Sequence, residues 1–213
     1  MMSKKMVLVG GGGHCRSCIE IIKSTGKYEI VGIIDKKDRL GKTVLNIPII
    51  GVDEDIQKIV VKTENDFLIT LGQTSNSSGR RRLFAAIISV GGEMPVIKAQ
   101  TAIVSEWANI SDGTIVMHRA MVNAGAKIGK ACIINNGTLI EHDAEVGDFC
   151  HVSTMSVLNG GVKIGSDCFI GSGVIVINQV TICDGCIVGA GSVVVNDITE
   201  PGTYVGNPAR RIK

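Results

Sequence analysis

The clearest pattern in the chain is an aliphatic residue at every sixth position of its second half. The position two residues earlier is mostly small, and the position that follows is often glycine. A period of six matches no α-helix or coiled coil, and it is typical of a parallel β-helix with one short strand per hexapeptide. The aliphatic side chains are then expected to point inward and to stack about 4.8 Å apart on successive coils. They are Val104, Ile110, Val116, Val122, Ile128, Ile134, Ile140, Val146, Val152, Leu158, Ile164, Ile170, Val176, Ile182, Val188 and Val194.

Four cysteines support the same geometry. Cys132, Cys150, Cys168 and Cys186 follow one another at a constant interval of three hexapeptides. They are therefore predicted to form an inward column, with three hexapeptides per turn and about five turns in all. A zinc site of four cysteines needs tetrahedral convergence, which a straight column does not provide. We therefore expect these cysteines to pack in the core and to bind no metal.

The first half has a different pattern, in which short apolar runs alternate with segments of helical spacing. Because alternating strands and helices form a parallel sheet flanked by helices, residues 1–98 are predicted to be a small Rossmann-like α/β domain. The period of six begins near Lys98–Thr101, so residues 99–213 are assigned to the β-helix and a C-terminal tail. The predicted strands are 6–9, 30–34, 67–71 and 94–97, and the predicted helices are 17–23, 53–61 and 80–89.

A run of four glycines, Gly10–Gly13, follows the first predicted strand and leads through His14 into a helix. A helix that begins after such a turn favours a phosphate, because its N–H groups and its dipole attract anions. The dinucleotide fingerprint G-x-G-x-x-G is not satisfied, which disfavours NAD and leaves a nucleotide-sugar open. Asp35, at the end of the second strand, stands where such folds place an acid against a ribose or base. A tight turn without a ligand is the alternative.

The predicted helix after the glycines begins with Cys15-Arg16-Ser17-Cys18, which has the spacing of a redox pair. Neither tryptophan nor proline accompanies the two cysteines, and the preceding turn already suits a phosphate. We therefore expect no redox function for this pair.

Charge and composition disfavour several classes of protein. The 22 basic and 20 acidic residues give a formal net charge of +2 without a concentrated basic face, so we expect no nucleic-acid partner. No signal-peptide core follows the first residues, and no stretch approaches the roughly 18 apolar residues of a membrane span. The sequence therefore predicts a cytoplasmic protein without a membrane span.

A polar cluster, Glu141-His142-Asp143, stands out from the hexapeptide pattern, and His151 lies further along the chain. His142 is the last residue of its hexapeptide and is predicted to face outward near a corner. A histidine beside a carboxylate suits general-base catalysis, because the carboxylate orients the ring and stabilises the imidazolium. Asn135 lies in the preceding hexapeptide, close to the same wall. A surface histidine beside an unrelated acid is the alternative.

Three features together resemble one family: G-G-G-H after the first strand, coils that carry E-H-D with a later histidine, and V-G-N-P-A-R near the C-terminus. They are similar to the bacterial sugar acetyltransferases, which include sialic acid O-acetyltransferases and the UDP-4-amino-sugar N-acetyltransferases of bacillosamine-type pathways. The resemblance implies a left-handed β-helix. It also implies a homotrimer in which acetyl-CoA lies in the groove between neighbouring β-helices.

The resemblance also implies roles for individual residues. His142 is expected to be the catalytic base, and Asp143 the acid that steadies it. The acceptor and acetyl group are expected to be lined by Asn135 and His151. Acetyl-CoA is expected to be contacted by His151, by the backbone of Gly160 and by Arg210, a C-terminal cation suited to phosphates. The residues expected to bind the nucleotide-sugar are Gly12, Gly13, His14, Asp35 and Gly72.

The activity implied is acetyl-CoA-dependent N-acetylation of the 4-amino group of a UDP-linked amino-deoxy sugar, by direct transfer and without a metal. Two alternatives remain at this point. One is O-acetylation of sialic acid or a related nonulosonate, which the nucleotide-binding N-terminal domain disfavours. The other is a non-catalytic scaffold or sensor that binds a nucleotide-sugar, which the E-H-D cluster disfavours.

Overall fold

The computed structural model describes residues 3–62 and 65–213. The chain divides into two units, of which the first comprises Met1–Gly72 and Ser78–Gln100 and the second Gln73–Ser77 and Thr101–Lys213. The boundary after Gln100 falls within the segment where the periodicity changes. The assignment of Gln73–Ser77 to the second unit has no counterpart in the sequence pattern.

The first unit is an α/β domain with a mainly parallel sheet. Its elements are β1 (Lys4–Val9), α1 (Gly13–Thr25), β2 (Tyr28–Ile34), β3 (Thr43–Val44), β4 (Ile47–Gly51), α2 (Ile56–Lys62), β5 (Asp66–Ile69), α3 (Ser78–Ser89) and β6 (Ile97–Lys98). The strand order β3-β4-β2-β1-β5 places β1 between β2 and β5, parallel to both. The carboxyl ends of these three strands therefore lie at one edge of the sheet. Within the described ranges, no helix is long and apolar enough to cross a membrane.

The three central strands of this unit, β1, β2 and β5, are confirmed, whereas two predicted helices need earlier starts. Helix α1 begins at Gly13 and α3 begins at Ser78. Glycine and serine carry no apolar periodicity that would mark a first turn, so the sequence pattern placed both starts too late.

Two further predicted elements differ in kind. The predicted helix 53–61 begins instead as a 3₁₀ turn, in which the Asp55 carboxylate accepts the Val52 N–H at 3.0 Å. The predicted strand 94–97 is wrong, and only the short β6 begins at its last residue. Pro95 has no N–H to donate to a ladder, which prevents regular pairing across this segment.

The second unit is a left-handed parallel β-helix. Nearly all of its strands are two residues long. Through Ile175–Val176 each strand pairs in parallel with the strand three hexapeptides further along, as Met121 does with Leu139 and Leu139 with Val157, whereas the last two strands pair antiparallel with each other. Three hexapeptides per coil are thereby confirmed. The strands are β7 (Ile103–Val104), β8 (Asn109–Ile110), β9 (Ile115–Val116), β10 (Met121–Val122), β11 (Lys127–Ile128), β12 (Ile133–Ile134), β13 (Leu139–Ile140), β14 (Glu145–Val146), β15 (His151–Val152), β16 (Val157–Leu158), β17 (Lys163–Ile164), β18 (Phe169–Ile170), β19 (Ile175–Val176), β20 (Thr181–Ile182), β21 (Ile187–Val188), β22 (Val193–Val194), β23 (Thr203–Val205) and β24 (Arg210–Arg211).

The core of the β-helix consists of aliphatic side chains and the cysteine column, as predicted. Cys132, Cys150, Cys168 and Cys186 are all fully buried. The thiols of Cys132 and Cys150 contact the carbonyl oxygens of Gly147 and Gly165 at 3.1 and 3.0 Å. Burial raises the pKa of the Cys150 thiol well above its ordinary value. A buried, hydrogen-bonded thiol of raised pKa suits a packing role and does not favour a nucleophilic one.

Turns connect successive strands and stack into three columns of corners. One column, which we call the histidine corner, consists of the turn residues 106–107, 124–125, 142–143, 160–161 and 178–179. Because one coil is three hexapeptides long, His142, Gly160 and Asn178 occupy equivalent places on three successive coils. The fold therefore places these three residues in a row.

Candidate active site

His142 and Asp143 form a hydrogen-bonded pair on the histidine corner. The imidazole Nδ1 lies 2.9 Å from Asp143 Oδ2, and the two side chains are 62% and 74% exposed. Asp143 has a φ of 59°, a left-handed conformation that aspartate tolerates better than most residues. With Nδ1–H donated to the carboxylate, Nε2 retains its lone pair. Nε2 has no hydrogen-bond partner among the described residues, so it can accept a proton from a ligand.

Gly160 lies against the Cε1–Nε2 edge of the His142 ring. A Cβ atom at Gly160 would lie 2.7 Å from both Cε1 and Nε2 of His142. The φ of Gly160 is not in the left-handed region, so the backbone does not require glycine at this position. The requirement is for space, because any side chain here would displace the imidazole.

The backbone N–H of Gly160 makes no hydrogen bond to any residue that the structure describes. At another corner, the equivalent N–H groups of Lys130, Asp148 and Ser166 donate to side-chain oxygens one coil further along, at 2.9, 3.1 and 2.7 Å. The histidine corner lacks that support at Gly160. An N–H without an acceptor, beside an imidazole with an available lone pair, is a suitable donor for an oxyanion.

Glu141, the first acid of the E-H-D cluster, braces the turn. Its Oε2 accepts a hydrogen bond from Asn123 Nδ2 at 2.8 Å and lies 3.4 Å from the backbone N of His142. The acid that contacts the imidazole is therefore Asp143, as expected, and Glu141 fixes the backbone before it.

Asn135 and His151 form a second pair, beside a different corner of the same coils. His151 is 8% exposed. Its Nδ1–H donates to the carbonyl oxygen of Gln73 at 2.6 Å, and its Nε2 accepts from Asn135 Nδ2 at 3.0 Å. The sequence did not indicate the contact with Gln73, which lies 78 residues away. In this chain His151 anchors the Gln73–Ser77 segment, and its predicted contact with the acetyl group stays a prediction.

In the first unit, the glycine turn leaves room at the start of α1. No heavy atom lies within 4 Å of a Cβ placed at Gly12 or Gly13, and no side chain caps the helix. Gly72 lies beside His14, because a Cβ at Gly72 would be 3.4 Å from the His14 Cβ. The structure thus brings together Gly12, Gly13, His14 and Gly72 at the carboxyl edge of the sheet, at a helix N-terminus that suits a phosphate.

Asp35 is held by Arg39, a residue that the sequence reasoning missed. Arg39 Nη1 donates to Asp35 Oδ2 at 2.7 Å and to the carbonyl oxygen of Gly11 at 2.8 Å. A cavity of about 530 Å³ that Asp35 lines together with Lys36, Lys37, Leu40, Val52, Asp53 and Glu54 is large enough for part of a nucleotide. The sequence carries a signal for this contact, because Arg39 lies in the turn that follows Asp35 at the end of the second strand.

The two C-terminal arginines differ in their surroundings. The guanidinium of Arg211 binds the Glu200 carboxylate, whereas Arg210 is exposed and forms no ion pair among the described residues. Of the two, Arg210 is therefore the arginine that a ligand can bind without breaking an ion pair, and its predicted contact with acetyl-CoA stays a prediction.

Cys15 and Cys18 are buried, and burial raises the pKa of both thiols. Cys18 Sγ lies 3.4 Å from His14 Nε2. The two cysteines lie in the first turns of α1, in a setting that does not favour a reactive thiolate.

Comparisons with known proteins agree with this geometry. Residues 5–87 match the PglD N-terminal domain, and residues 161–196 match the bacterial transferase hexapeptide (six repeats). The acetyltransferase domain of PglB from Neisseria gonorrhoeae is 29% identical, with a TM-score of 0.91 over 99% of this chain and 100% of that one. PerB from Caulobacter crescentus, solved with CoA and GDP-perosamine, is 31% identical, with a TM-score of 0.90 over 98% and 97%.

WeeI from Acinetobacter baumannii shares the fold, with 21% identity and a TM-score of 0.86 over 99% of this chain and 100% of its own. No curated protein sequence matched this chain. The fold and the full-length matches define a hexapeptide-repeat acetyltransferase. The chain belongs to the family of bacterial sugar acetyltransferases.

Substitution Gly160→Ala tests the contact between Gly160 and His142. The ring can swing aside, so we expect a small change in Tm but a fall in kcat of about 10- to 100-fold, as for a misplaced catalytic group. The matched control is Gly161→Ala, where a φ of +68° makes alanine strained but leaves the imidazole untouched. The control is expected to lower Tm more and kcat less. The opposite order in thermal unfolding and CoA-release assays would contradict this account of Gly160.

Proposed function

We propose that the protein transfers an acetyl group from acetyl-CoA to the 4-amino group of a UDP-linked amino-deoxy sugar. Acetyl-CoA is the acetyl donor, in keeping with relatives of this family solved with acetyl-CoA or with CoA. The observation that carries the proposal is the unpartnered Nε2 of His142, which Asp143 orients and which faces the space left by Gly160. A carboxylate-supported imidazole with an available lone pair is a general base.

The reaction is a direct transfer within a ternary complex. The substrate amine attacks the thioester carbonyl carbon while Nε2 of His142 takes a proton from the amine nitrogen. Asp143 stabilises the resulting imidazolium through Nδ1–H. The tetrahedral oxyanion is stabilised by donors that include the Gly160 N–H. The carbon–sulfur bond then breaks, the imidazolium protonates the CoA thiolate, and the amide and CoA leave.

We prefer an amine to a sugar hydroxyl as the acceptor because the solved relatives include an N-acetyltransferase. The perosamine N-acetyltransferase from Caulobacter crescentus is by its name an N-acetyltransferase, and it was also solved as variants with one histidine replaced by asparagine or alanine. A hydroxyl acceptor needs the same base and the same acetyl donor. Analysis of the product must therefore distinguish N-acetylation of an amino sugar from O-acetylation of a sialic acid. Membership in an acetyltransferase family disfavours the non-catalytic scaffold.

Substitution His142→Ala tests the base. We expect kcat to fall by about 10²- to 10⁴-fold, the usual contribution of a general base. The Kd for CoA, measured by calorimetry, is expected to remain close to the wild-type value, because the imidazole acts on the acceptor. The assay combines acetyl-CoA with a UDP-4-amino sugar and weighs the product. Normal turnover by this variant would contradict the assignment of His142 as the base. An acetylated sialic acid in a parallel reaction would favour the hydroxyl acceptor.

We assign nucleotide binding to the first unit because of the charged residues and the open space of that unit. The glycine turn suits a phosphate, and Asp35 lies beside it with one oxygen bound to Arg39. The second oxygen of Asp35 can accept a hydrogen bond from a base or ribose. UDP is the nucleotide that the sequence resemblance favours, whereas the Caulobacter relative was solved with a GDP-sugar. Nucleotide identity therefore needs its own measurement.

Calorimetry with UDP, GDP and NAD tests this pocket. We expect UDP to bind, and we expect Asp35→Ala to weaken binding by about 10- to 100-fold, the effect of losing a charged hydrogen-bond acceptor. Arg39→Ala is expected to weaken it less, because the carboxylate remains but is no longer held. Lys23→Ala is the control, since it removes an exposed cation in the same unit, in the last turn of α1 and outside the lining of the cavity. Binding of NAD alone, or equal UDP affinity in all variants, contradicts the proposal.

A homotrimer is supported by the difference between two faces of the β-helix. The outward residues on the face formed by β7, β10, β13, β16, β19 and β22 are all apolar, and Ile103 and Ile175 are 60% and 41% exposed. The apolar outward residues are Ile103, Met121, Leu139, Val157, Ile175 and Val193. The face formed by β8, β11, β14, β17 and β20 instead presents polar residues, which are Asn109, Lys127, Glu145, Lys163 and Thr181. A continuous apolar face on a protein surface marks an interaction site.

Sedimentation measures this assembly. We expect a mass three times the 22.4 kDa of one chain. Leu139→Glu combined with Ile175→Glu is expected to dissociate the trimer, because it buries two carboxylates in an apolar contact. Lys163→Glu on the polar face is the control and should sediment as wild type. A monomeric wild-type protein, or a double variant that remains trimeric, contradicts this interface.

A further inference from the structure

Asn178 borders the same small space as the reactive nitrogen of His142. A Cβ at Gly160 would lie 2.7 Å from His142 Nε2 and 3.3 Å from Asn178 Nδ2. The two nitrogens therefore cannot be further apart than the sum of these two distances. An amide donor and the imidazole therefore both border the gap left by a missing side chain.

The fold itself makes no use of the Asn178 side chain. Asn178 is exposed, and its amide makes no hydrogen bond to any residue in the described ranges. Asparagine has a structural role at another corner, where Asn136 Oδ1 accepts the backbone N–H of His118 one coil earlier at 3.1 Å. Asn178 does not accept the equivalent N–H of Gly160. Its amide is available to a ligand, as is the Gly160 N–H.

We propose, on the basis of the function assigned above, that Asn178 Nδ2–H donates a hydrogen bond to the carbonyl oxygen of the acetyl group during transfer. An amine bound to Nε2 at about 3 Å lies about 3 to 3.5 Å from the carbonyl carbon that it attacks. Because Nδ2 borders the same small space as Nε2, the carbonyl oxygen of an acetyl group held there comes within reach of Nδ2. The amide keeps its proton throughout, while the carbon–nitrogen bond forms and the carbon–sulfur bond breaks.

This role makes Asn178 a second donor beside the Gly160 N–H. Negative charge develops on the carbonyl oxygen only as the tetrahedral intermediate forms. A hydrogen bond to that oxygen is therefore stronger in the transition state than with bound acetyl-CoA. Loss of the donor should lower kcat and leave the KM for acetyl-CoA nearly unchanged.

Two substitutions separate this role from a structural one. Asn178→Ala removes the donor, and we expect kcat to fall by about 10²- to 10³-fold. Asn178→Asp keeps the shape but presents a carboxylate, and it should lower kcat further because it repels the oxyanion. If Asn178 only capped the Gly160 N–H, kcat would be higher in Asn178→Asp than in Asn178→Ala. The reason is that Asp148 and Asp184 cap equivalent N–H groups at another corner.

The control is Gln179→Asn in the same turn. Gln179 has a φ of 63°, which asparagine tolerates, and its Cγ approaches Gly161. The control should retain wild-type kcat, and all three variants should unfold at similar temperatures. Wild-type kcat in Asn178→Ala, higher activity in Asn178→Asp than in Asn178→Ala, or a rise in the KM for acetyl-CoA alone would each overturn the inference.

The outcome also separates this inference from the proposed function. If the wild-type protein acetylates the amino sugar and His142→Ala does not, a fully active Asn178→Ala overturns the role of Asn178 alone. If the wild-type protein releases no CoA with any nucleotide-linked amino sugar, the proposed function fails and the role of Asn178 with it.

Discussion

One backbone hydrogen bond, repeated from coil to coil, sets the geometry of the second unit. The N–H of a strand residue donates to a carbonyl oxygen on the next coil, and the bond recurs on all three faces. Lys127 donates to Ala144 at 2.9 Å, and Ile133 donates to Cys150 at 2.9 Å. On the third face, the Val157 N–H donates to the next coil in the same way, at 2.8 Å. Because each coil must match the next residue for residue, equivalent side chains of successive coils are held in line, including those of the histidine corner.

Among the described residues, polar groups without hydrogen-bond partners come together at the histidine corner. At the corner formed by Lys130, Asp148 and Ser166, each turn is closed by a side chain of the next coil. At the histidine corner the N–H of Gly160 and the ring nitrogen Nε2 of His142 have no such partner among the described residues. A rigid scaffold that leaves polar groups unpaired at one place holds them ready for a ligand, so little reorganisation is needed when a ligand binds.

The sequence alone predicted the features that depend on local repetition. The period of six identified the coils, and the place of His142 within its hexapeptide predicted its outward position. The contacts between distant parts of the chain could not be predicted in this way. No periodicity connects Gln73 with His151, and the hydrogen bonds of Arg39 depend on how a turn folds back on Gly11. The sequence also gave no sign that glycine is needed at position 160 for space, because that need depends on where the imidazole lies.

The coil of three hexapeptides also restricts how such a protein can change in length. Inserting or deleting a few residues within a strand would put the residues that follow it out of register with the coil before, and such a change between His142 and Gly160 would separate these two residues. Evolution of this part of the chain is therefore expected to add or remove whole coils, or to lengthen loops that bulge outward at the turns. Engineers who wish to extend the molecule face the same rule.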